Sequence, residues 1–573
     1  MLLYVVQSLV AGVLGKYLVK NASAPPPSLT FCNYLNISSC DITQSSKSFA
    51  VVIYNPLPRS ITSFIELPVG SSNLKVFSPS GNIIGSQILP ISNETLRLHE
   101  KSSSPPPRYK VLFPVNIPPL GFSTYFVKLT KGKTIASFPG QGKTHYAAKT
   151  KKVEEKKVIT IQNADIQLKF SAATGRLVCM TDLGSNITTQ VDQQFFWYNS
   201  STGNAESNQI SNNYIFRPNS SKPFPVTAGN KARVTVYKGP LVEEVRQVFG
   251  NYVSQVVRLY KSERSAEFEY TVGPIPFHDN LGKEIITRFD TDIKSNSLFY
   301  TDANGREIKE RKRNYRPTWK LDVTEPVAGN YYPINSRVYI KDSESQMTIL
   351  TDRSLGGSSL KDGSVEIMLH RRILRSDGGR EALNETGVSG KGLVVRGKLN
   401  VILAPPKDSA ALHRMLAEKM LLAPLTGFAQ NALPVKTWLR LYNVIFSGFT
   451  QEFPPNVHLL TLETRNEEMV IRVEHQFAVG EDAALSQPIK ISLAGIFSEF
   501  DIVSMTETNL SANELIKNKK QLHWNIKESG NKCKFDDTAR QAGPKYPDLM
   551  VQLRPMQIRT FKLVIKRRKS IFM

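Results

Sequence analysis

GKEIITRFDT (282–291), FYTDANGREI (299–308), RPTWKL (316–321), PVAGNYYPINSRVYI (326–340) and TDRSLGGSSLKDGSVEIMLHRRIL (351–374) decide how this chain folds. Runs such as Val338-Tyr339-Ile340 and Val365-Glu366-Ile367-Met368-Leu369 carry a period-2 pattern that turns one face inward, so they read as strands. Asn304-Gly305 lies between two such runs and predicts a two-residue hairpin turn, whose central residues both need positive φ. Gly356-Gly357 and Asp362-Gly363 predict two further turns. Asp302, Arg306, Tyr331, Tyr332, Asp352 and Arg353 crowd the strand ends. That is the composition of a sugar-contacting surface, and equally of any large antiparallel sheet.

The pattern extends outward from this block in both directions. FAVVIYNPL (49–57), TSFIELPV (62–69), YKVLFPV (109–115) and STYFVKL (123–129) are short β-type runs broken by Pro and Gly, as in a small sandwich. VITIQNADIQLKF (158–170), ARVTVYKGPLVEEVRQVF (232–249) and QVVRLYKSERSAEFEYTV (255–272) lead into the central block without βαβ alternation, which predicts antiparallel packing. Asp408 is expected to cap an amphipathic helix carrying Leu412, Met415, Leu416 and Met420. Beyond the segment 424–434, VHLLTLET, EEMVIRVEHQFAV, PIKISLAGIF and MQIRTFKLVI resume the alternation and predict another sandwich. At the other end, Val5, Leu9, Val13 and Leu14 recur at helical spacing ahead of Pro25-Pro26-Pro27. LLYVVQSLVAGVLG before Ala22-Ser23-Ala24 also resembles a signal sequence, but no basic residue precedes it, and a packed helix is the preferred reading.

The chain is thus expected to be mainly β, built of antiparallel β-sandwich domains. They are divided as a helix (1–24), a small β-sandwich (25–130), an exposed, charged linker (131–157), a large β-sandwich (158–422) and a C-terminal β-sandwich (423–573). At 573 residues it is long enough for several cores, and no stretch reaches the ~20 uninterrupted apolar residues of a membrane helix. A net charge of +24 points first to nucleic acid. The basic residues are nevertheless spread along the chain without an aromatic-interleaved stripe, so a solvated surface and no nucleic-acid partner are expected. Eight N-x-S/T sequons, at Asn21, Asn36, Asn93, Asn186, Asn199, Asn219, Asn384 and Asn509, argue for a secretory route. Cys32 and Cys40, in FCNYLNISSC, suit either a small disulfide loop or two free thiols.

Little chemistry is legible. The eight histidines form no HxH, HxD or HExxH motif, and no cysteine spacing matches a zinc site, so no metal site is read. His278-Asp279 and Glu474-His475 are adjacent pairs that a strand would send to opposite faces. Glycoside hydrolysis needs two carboxyls flanking the scissile bond. Asp290, Asp292, Asp302, Asp352, Glu366, Glu481 and Asp482 lie near strand ends, and local pattern does not pair them.

FFWYN (195–199), YIFRP (214–218), the blocks of the central stretch and EHQFAVGED (474–482), with FCNYLNISSC and YNPLPR (54–59) upstream, closely resemble the lysosomal-type α-mannosidases of glycoside hydrolase family 38. The resemblance implies a galactose-mutarotase-like supersandwich for the large domain, and makes the N-terminal helix the remnant of a three-helix domain. It also implies a Cys32–Cys40 disulfide, Cys179 and Cys533 as free thiols, and a lysosomal or secretory/extracellular location. On the NYYP match, Tyr332 would line the mannose pocket, with Asn330 and Tyr331 as weaker neighbours. The zinc ligands and the catalytic Asp pair of that family come from N-terminal motifs not found in this sequence. The chain is therefore expected to be the C-terminal portion of such an enzyme, inactive alone, with no cofactor of its own. Its expected partners are mannose-containing glycans and an N-terminal catalytic portion, and a homo-oligomer is left open. The rival reading is a free-standing carbohydrate-binding β-sandwich protein.

Overall fold

The structure, a computed structural model, describes residues 10, 12–21, 23–99, 106–130, 158–200, 211–374, 382–387, 389–430, 432–465, 468–518 and 548–568. The expected linker 131–157, the segment 1–9, and Cys533 lie outside the described residues. Regular structure is dominated by antiparallel sheets, as the alternation predicts.

The first sandwich is built around Ser48–Asn55. Phe49, Val51 and Ile53 point one way and pack with Val111, Phe113, Val115 and Phe428. Val52 points the other way, against Phe122, and Leu14 and Leu18 of the helix at 12–18 cover that outer face. Its partner layer is Ile61–Val69, Tyr109–Ile117 and Gln87–Pro90. A disulfide joins Cys32 to Cys40, with the Cα atoms 5.3 Å apart, and Cys40 lies in the same core. Cys179 is a buried free thiol.

A segment that the bounds 423–573 assign to the C-terminal domain, and that is not expected to be a strand, joins this first sandwich instead. Leu425–Gln430 pairs with Ser48–Asn55 in the register Phe49↔Gln430 to Tyr54↔Leu425, and on its other edge with Thr30–Phe31. Phe428 is fully buried there, and Trp438 of the next helix packs edge-on against Phe126. A boundary at 423 would cut this sheet. Local pattern, bounded here by Pro424 and Pro434, shows neither the strand nor its distant partner.

The large sandwich is two nine-stranded antiparallel sheets over one core. One sheet includes Ile187–Asn199, Lys283–Thr291, Ser364–Arg372, Leu355–Ser358 and Tyr332–Ile334. The other includes Val242–Val248, Val253–Tyr260, Ala266–Val272 and Val395–Ala404. Phe170, Phe195, Phe268, Phe289 and Phe299 fill the space between them. A buried amide relay crosses this apolar layer: Gln193 donates to Thr287 (2.7 Å), and Gln255 donates to both Gln193 (2.9 Å) and Gln247 (2.8 Å). Asn304 and Gly305 turn the hairpin with φ of 54° and 75°, and the pairing Ala303↔Glu307 adds Arg306 as a third loop residue. Freed from the ladder, Arg306 reaches Glu474 (2.8 Å) in the C-terminal sandwich.

Two local expectations are corrected. Gly356-Gly357 is no turn: both residues sit inside Leu355–Ser358. A Cβ on Gly357 would stand 2.4 Å from Ile334 Cδ1 and 2.6 Å from the Glu366 carbonyl oxygen, so glycine here permits close strand packing. The helix Pro406–Leu421 has Pro405 as its N-cap and Pro406 at its first position, while Asp408 lies within the first turn and makes no cap. Its Ala417 packs on Leu350, Ile402 and Ala404. The C-terminal sandwich follows, with sheet order Val457–Arg465, Glu468–His475, Ile558–Arg567, Phe500–Thr508 around Val473, Phe497, Phe561 and Leu563.

Candidate functional site

The NYYP segment is held at one edge of the large sandwich. Ala328–Asn330 makes a single tight turn, and Tyr332–Ile334 pairs with Leu355–Ser358 through Tyr332↔Gly357. The three sequence-predicted residues then separate into different roles.

Asn330 is 1% exposed. Its amide nitrogen donates to Asn314 Oδ1 (2.7 Å) and to the Pro326 carbonyl (2.9 Å), and its Oδ1 accepts from the Asn314 backbone N–H (2.8 Å). Asn330 is an internal brace that ties 314 to 330, and its side chain does not face a pocket. Tyr331 turns inward as well: its hydroxyl donates to Glu366 Oε1 at 2.5 Å, and its ring meets Phe216 edge-on at 4.8 Å. Burial, then the Glu366 carboxylate, pushes the Tyr331 phenol well above its ordinary range.

Tyr332 alone presents its ring. It is half-buried, and its hydroxyl makes no hydrogen bond among the described residues. The Arg311 guanidinium lies 4.3 Å from the ring centroid and Phe299 meets the ring from the core side at 5.7 Å. A cation over one face and a buried ring behind fix the phenol's orientation without using its hydroxyl. Tyr315 and Trp319 on the adjoining loop are exposed, the latter by 57%.

Behind this edge is a charged hub that local pattern did not assemble. Glu366 is 1% exposed and accepts from Arg288 Nε (3.0 Å), from Tyr198 (3.1 Å) and from Tyr331. Arg288 comes from the neighbouring strand, at the cross-strand position Arg288↔Glu366. A second buried pair lies along the same strands, where Arg371 donates to Glu284 at 2.6 and 2.9 Å. Burial raises the Glu284 carboxyl above its ordinary value despite Arg371. The only sequence signal was a charged residue inside each apolar run, at 284, 288 and 366.

The carboxyls near strand ends are committed elsewhere. Asp302 Oδ1 accepts from the backbone N–H groups of Asn335, Ser336 and Arg337. Glu481 is bidentate to Arg414, Asp352 to Arg353, and Asp482 caps the 484–485 turn. Asp290 accepts from Ser364, and Asp292 from the Gln190 backbone N–H. Glu474 accepts from His458 (2.8 Å), while its neighbour His475 meets the Gln487 carbonyl (3.0 Å). Among the described residues no group of three or more His, Cys, Asp or Glu is placed to hold a metal ion, so a zinc ligand set does not fit there. No described helix is long and apolar enough to cross a membrane. The arrangement is an oriented phenol on a rigid, ion-paired wall.

A solved family 38 protein from Enterococcus faecalis shares the fold over 92% of this chain and 59% of its own, with a TM-score of 0.55 at 14% identity. The glycosyl hydrolases family 38 C-terminal domain matches residues 161–379. The lysosomal alpha-mannosidase-like central domain matches 84–127, and the family 38 C-terminal beta sandwich domain matches 456–561. Lysosomal alpha-mannosidases of Felis catus and Homo sapiens are 43% and 42% identical over 93% of this chain, and alpha-mannosidase of Canavalia ensiformis is 36% identical over 98%. The chain belongs to glycosyl hydrolase family 38. It spans about half the length of the mammalian relatives and 58% of the Canavalia protein.

Proposed function

We propose that this chain is the β-rich C-terminal portion of a family 38 α-mannosidase, an enzyme that as a whole removes terminal α-D-mannose from glycans with retention. The observation that carries the reading is Tyr332, an oriented, half-exposed phenol whose hydroxyl is uncommitted, at the end of the segment that resembles the family's sugar-contacting motif. Its role is to hold a mannose ring by hydrogen bonding and ring contact, while Tyr331 and Asn330 position it. Retention needs two carboxyls about 5 Å apart. In this reading that pair, and the zinc of the family, belong to an N-terminal catalytic partner portion. The lysosomal names of the mammalian relatives, the Cys32–Cys40 bond and the sequons support a lysosomal or secretory setting.

The test is turnover of an aryl α-mannoside. The purified 573-residue chain is expected to give none, with or without added zinc. Co-expression with the N-terminal half of a mammalian relative should give activity, and Tyr332→Ala in that complex should lower kcat/KM by about tenfold or more. Turnover by the chain alone refutes the division of labour, and an unaffected Tyr332→Ala complex refutes the role of Tyr332.

A further inference from the structure

A cavity of about 430 Å³ lies between the first sandwich and the outer face of the large one, and Tyr332 is not among the residues that line it. Its size falls within the ~300–1,000 Å³ range of ligand pockets. The floor is charged. Arg258, with a side chain 3% exposed, donates to Glu267 (2.8 Å) and Glu269 (3.3 Å). Lys398 holds the other oxygen of Glu267 (2.9 Å), and Arg396 pairs with Glu269 and donates to Thr95 (3.0 Å). From the small sandwich, Lys110 pairs with Glu66 (3.0 Å). At the same wall Phe64 and Tyr260 stack, with centroids 5.3 Å apart at 18°.

This network is not alone in joining the two sandwiches. Leu89 and Leu112 also do so against Tyr237, Leu241 and Val242, in an apolar cluster on which Phe64 and Tyr260 pack as well. Burying charges beside that cluster adds desolvation cost without a matching gain in stability. One polar atom also remains spare, since Arg396 Nε is buried without a partner. Each carboxylate on the floor is already held by a cation, so a free cation gains little there. A hydroxyl suits it better, because it donates to a carboxylate and accepts from an N–H at once. A stacked aromatic pair beside such a floor offers an apolar patch to the C–H face of a ring.

We propose that this cavity is a second carbohydrate site, which takes a neutral pyranoside between the Arg258–Glu267–Glu269–Arg396–Lys398 floor and the Phe64–Tyr260 pair. The floor keeps its charges in acid: burial works against the Glu269 carboxylate, but Arg258, Arg396, Lys398 and Lys110 outweigh it and hold it well below its ordinary range.

Ligand-observed NMR on the full chain tests this with methyl α-D-mannoside, methyl α-D-glucoside, methyl β-D-galactoside and inorganic phosphate. At least one pyranoside should bind saturably, with Kd on the order of 1 mM. In a Tyr332→Ala chain, which removes the wall proposed above, that binding should persist, and adding Phe64→Ala should weaken it about tenfold or more. Should Phe64→Ala fail to fold, Glu267→Gln replaces it, and the methyl resonance of Met420, which lines the cavity, should shift on saturation of the unmodified chain. The proposal is overturned if no pyranoside binds the Tyr332→Ala chain, if that binding survives the addition of folded Phe64→Ala or Glu267→Gln, or if phosphate displaces the sugar.

Discussion

Replacing Glu366 with Ala removes the acceptor that Arg288, Tyr198 and Tyr331 share. The Arg288 guanidinium would remain in a largely buried place with no carboxylate, and breaking one side of such a pair costs about 3–5 kcal/mol. Loss of the two tyrosine donations is included in that figure, at about 1 kcal/mol each. Glu366→Gln keeps the volume and some hydrogen bonding, so about 1.5–3 kcal/mol is expected for losing the charge-assisted bonds. Removing both partners, as Glu366→Leu with Arg288→Met, should recover much of the loss, because no isolated charge is left behind. The assay is urea unfolding combined with hydrogen exchange at the amides of 284–290 and 364–370, since several cores make a single global transition unsafe to assume. If Glu366→Ala costs less than about 1 kcal/mol, or if the double variant loses the sum of the single losses, the hub does not hold this edge of the sheet.

Three further outcomes follow from particular side chains. Burial, then Arg337 and Arg414, keeps His413 well below its ordinary pKa. The unfolded chain therefore takes up a proton below about pH 6.5 that the folded chain refuses. Stability from this group is complete above that pH and falls by up to ~1.4 kcal/mol per pH unit below it, and His413→Gln should flatten the melting-temperature profile between about pH 6.5 and 5. Gly357→Ala, with a Cβ forced against the Glu366 carbonyl oxygen, should cost about 1–3 kcal/mol by urea titration. Cys32→Ser with Cys40→Ser opens a loop of sequence separation 8 and should lower the first sandwich's stability by about 2.5 kcal/mol, read as a lower melting temperature that reductant reproduces in the unmodified chain.

What sequence made legible was local. Alternation located the strands of the large sandwich, and Asn304-Gly305 announced its turn because backbone with positive φ selects those residues. The same logic misassigned Gly356-Gly357, where the missing Cβ serves a neighbouring strand and no turn is made. Helix-start chemistry at Pro405-Pro406 was overlooked in favour of Asp408. In the candidate site, Tyr332 stood out through family resemblance. Nothing in its neighbours distinguished Asn330 and Tyr331 as internal braces, because their partners Asn314, Pro326 and Glu366 are settled by tertiary packing. The Glu366 hub was hidden for the same reason: it joins residues 198, 288, 331 and 366, and only cross-strand register brings them together.

The first sandwich is threaded by a late piece of chain. Leu425–Gln430 lies between Thr30–Phe31 and Ser48–Asn55, with hydrogen-bonded ladders on both sides. During synthesis that sheet stays open until Gln430 has left the ribosome, so its edge needs protection throughout that interval. The finished sheet has the opposite property. A protease that severs the backbone anywhere in 131–157 would release neither half, because a strand from the later half is clasped by two strands of the earlier one. Such a nicked molecule would run as two bands after denaturation and as one particle before it.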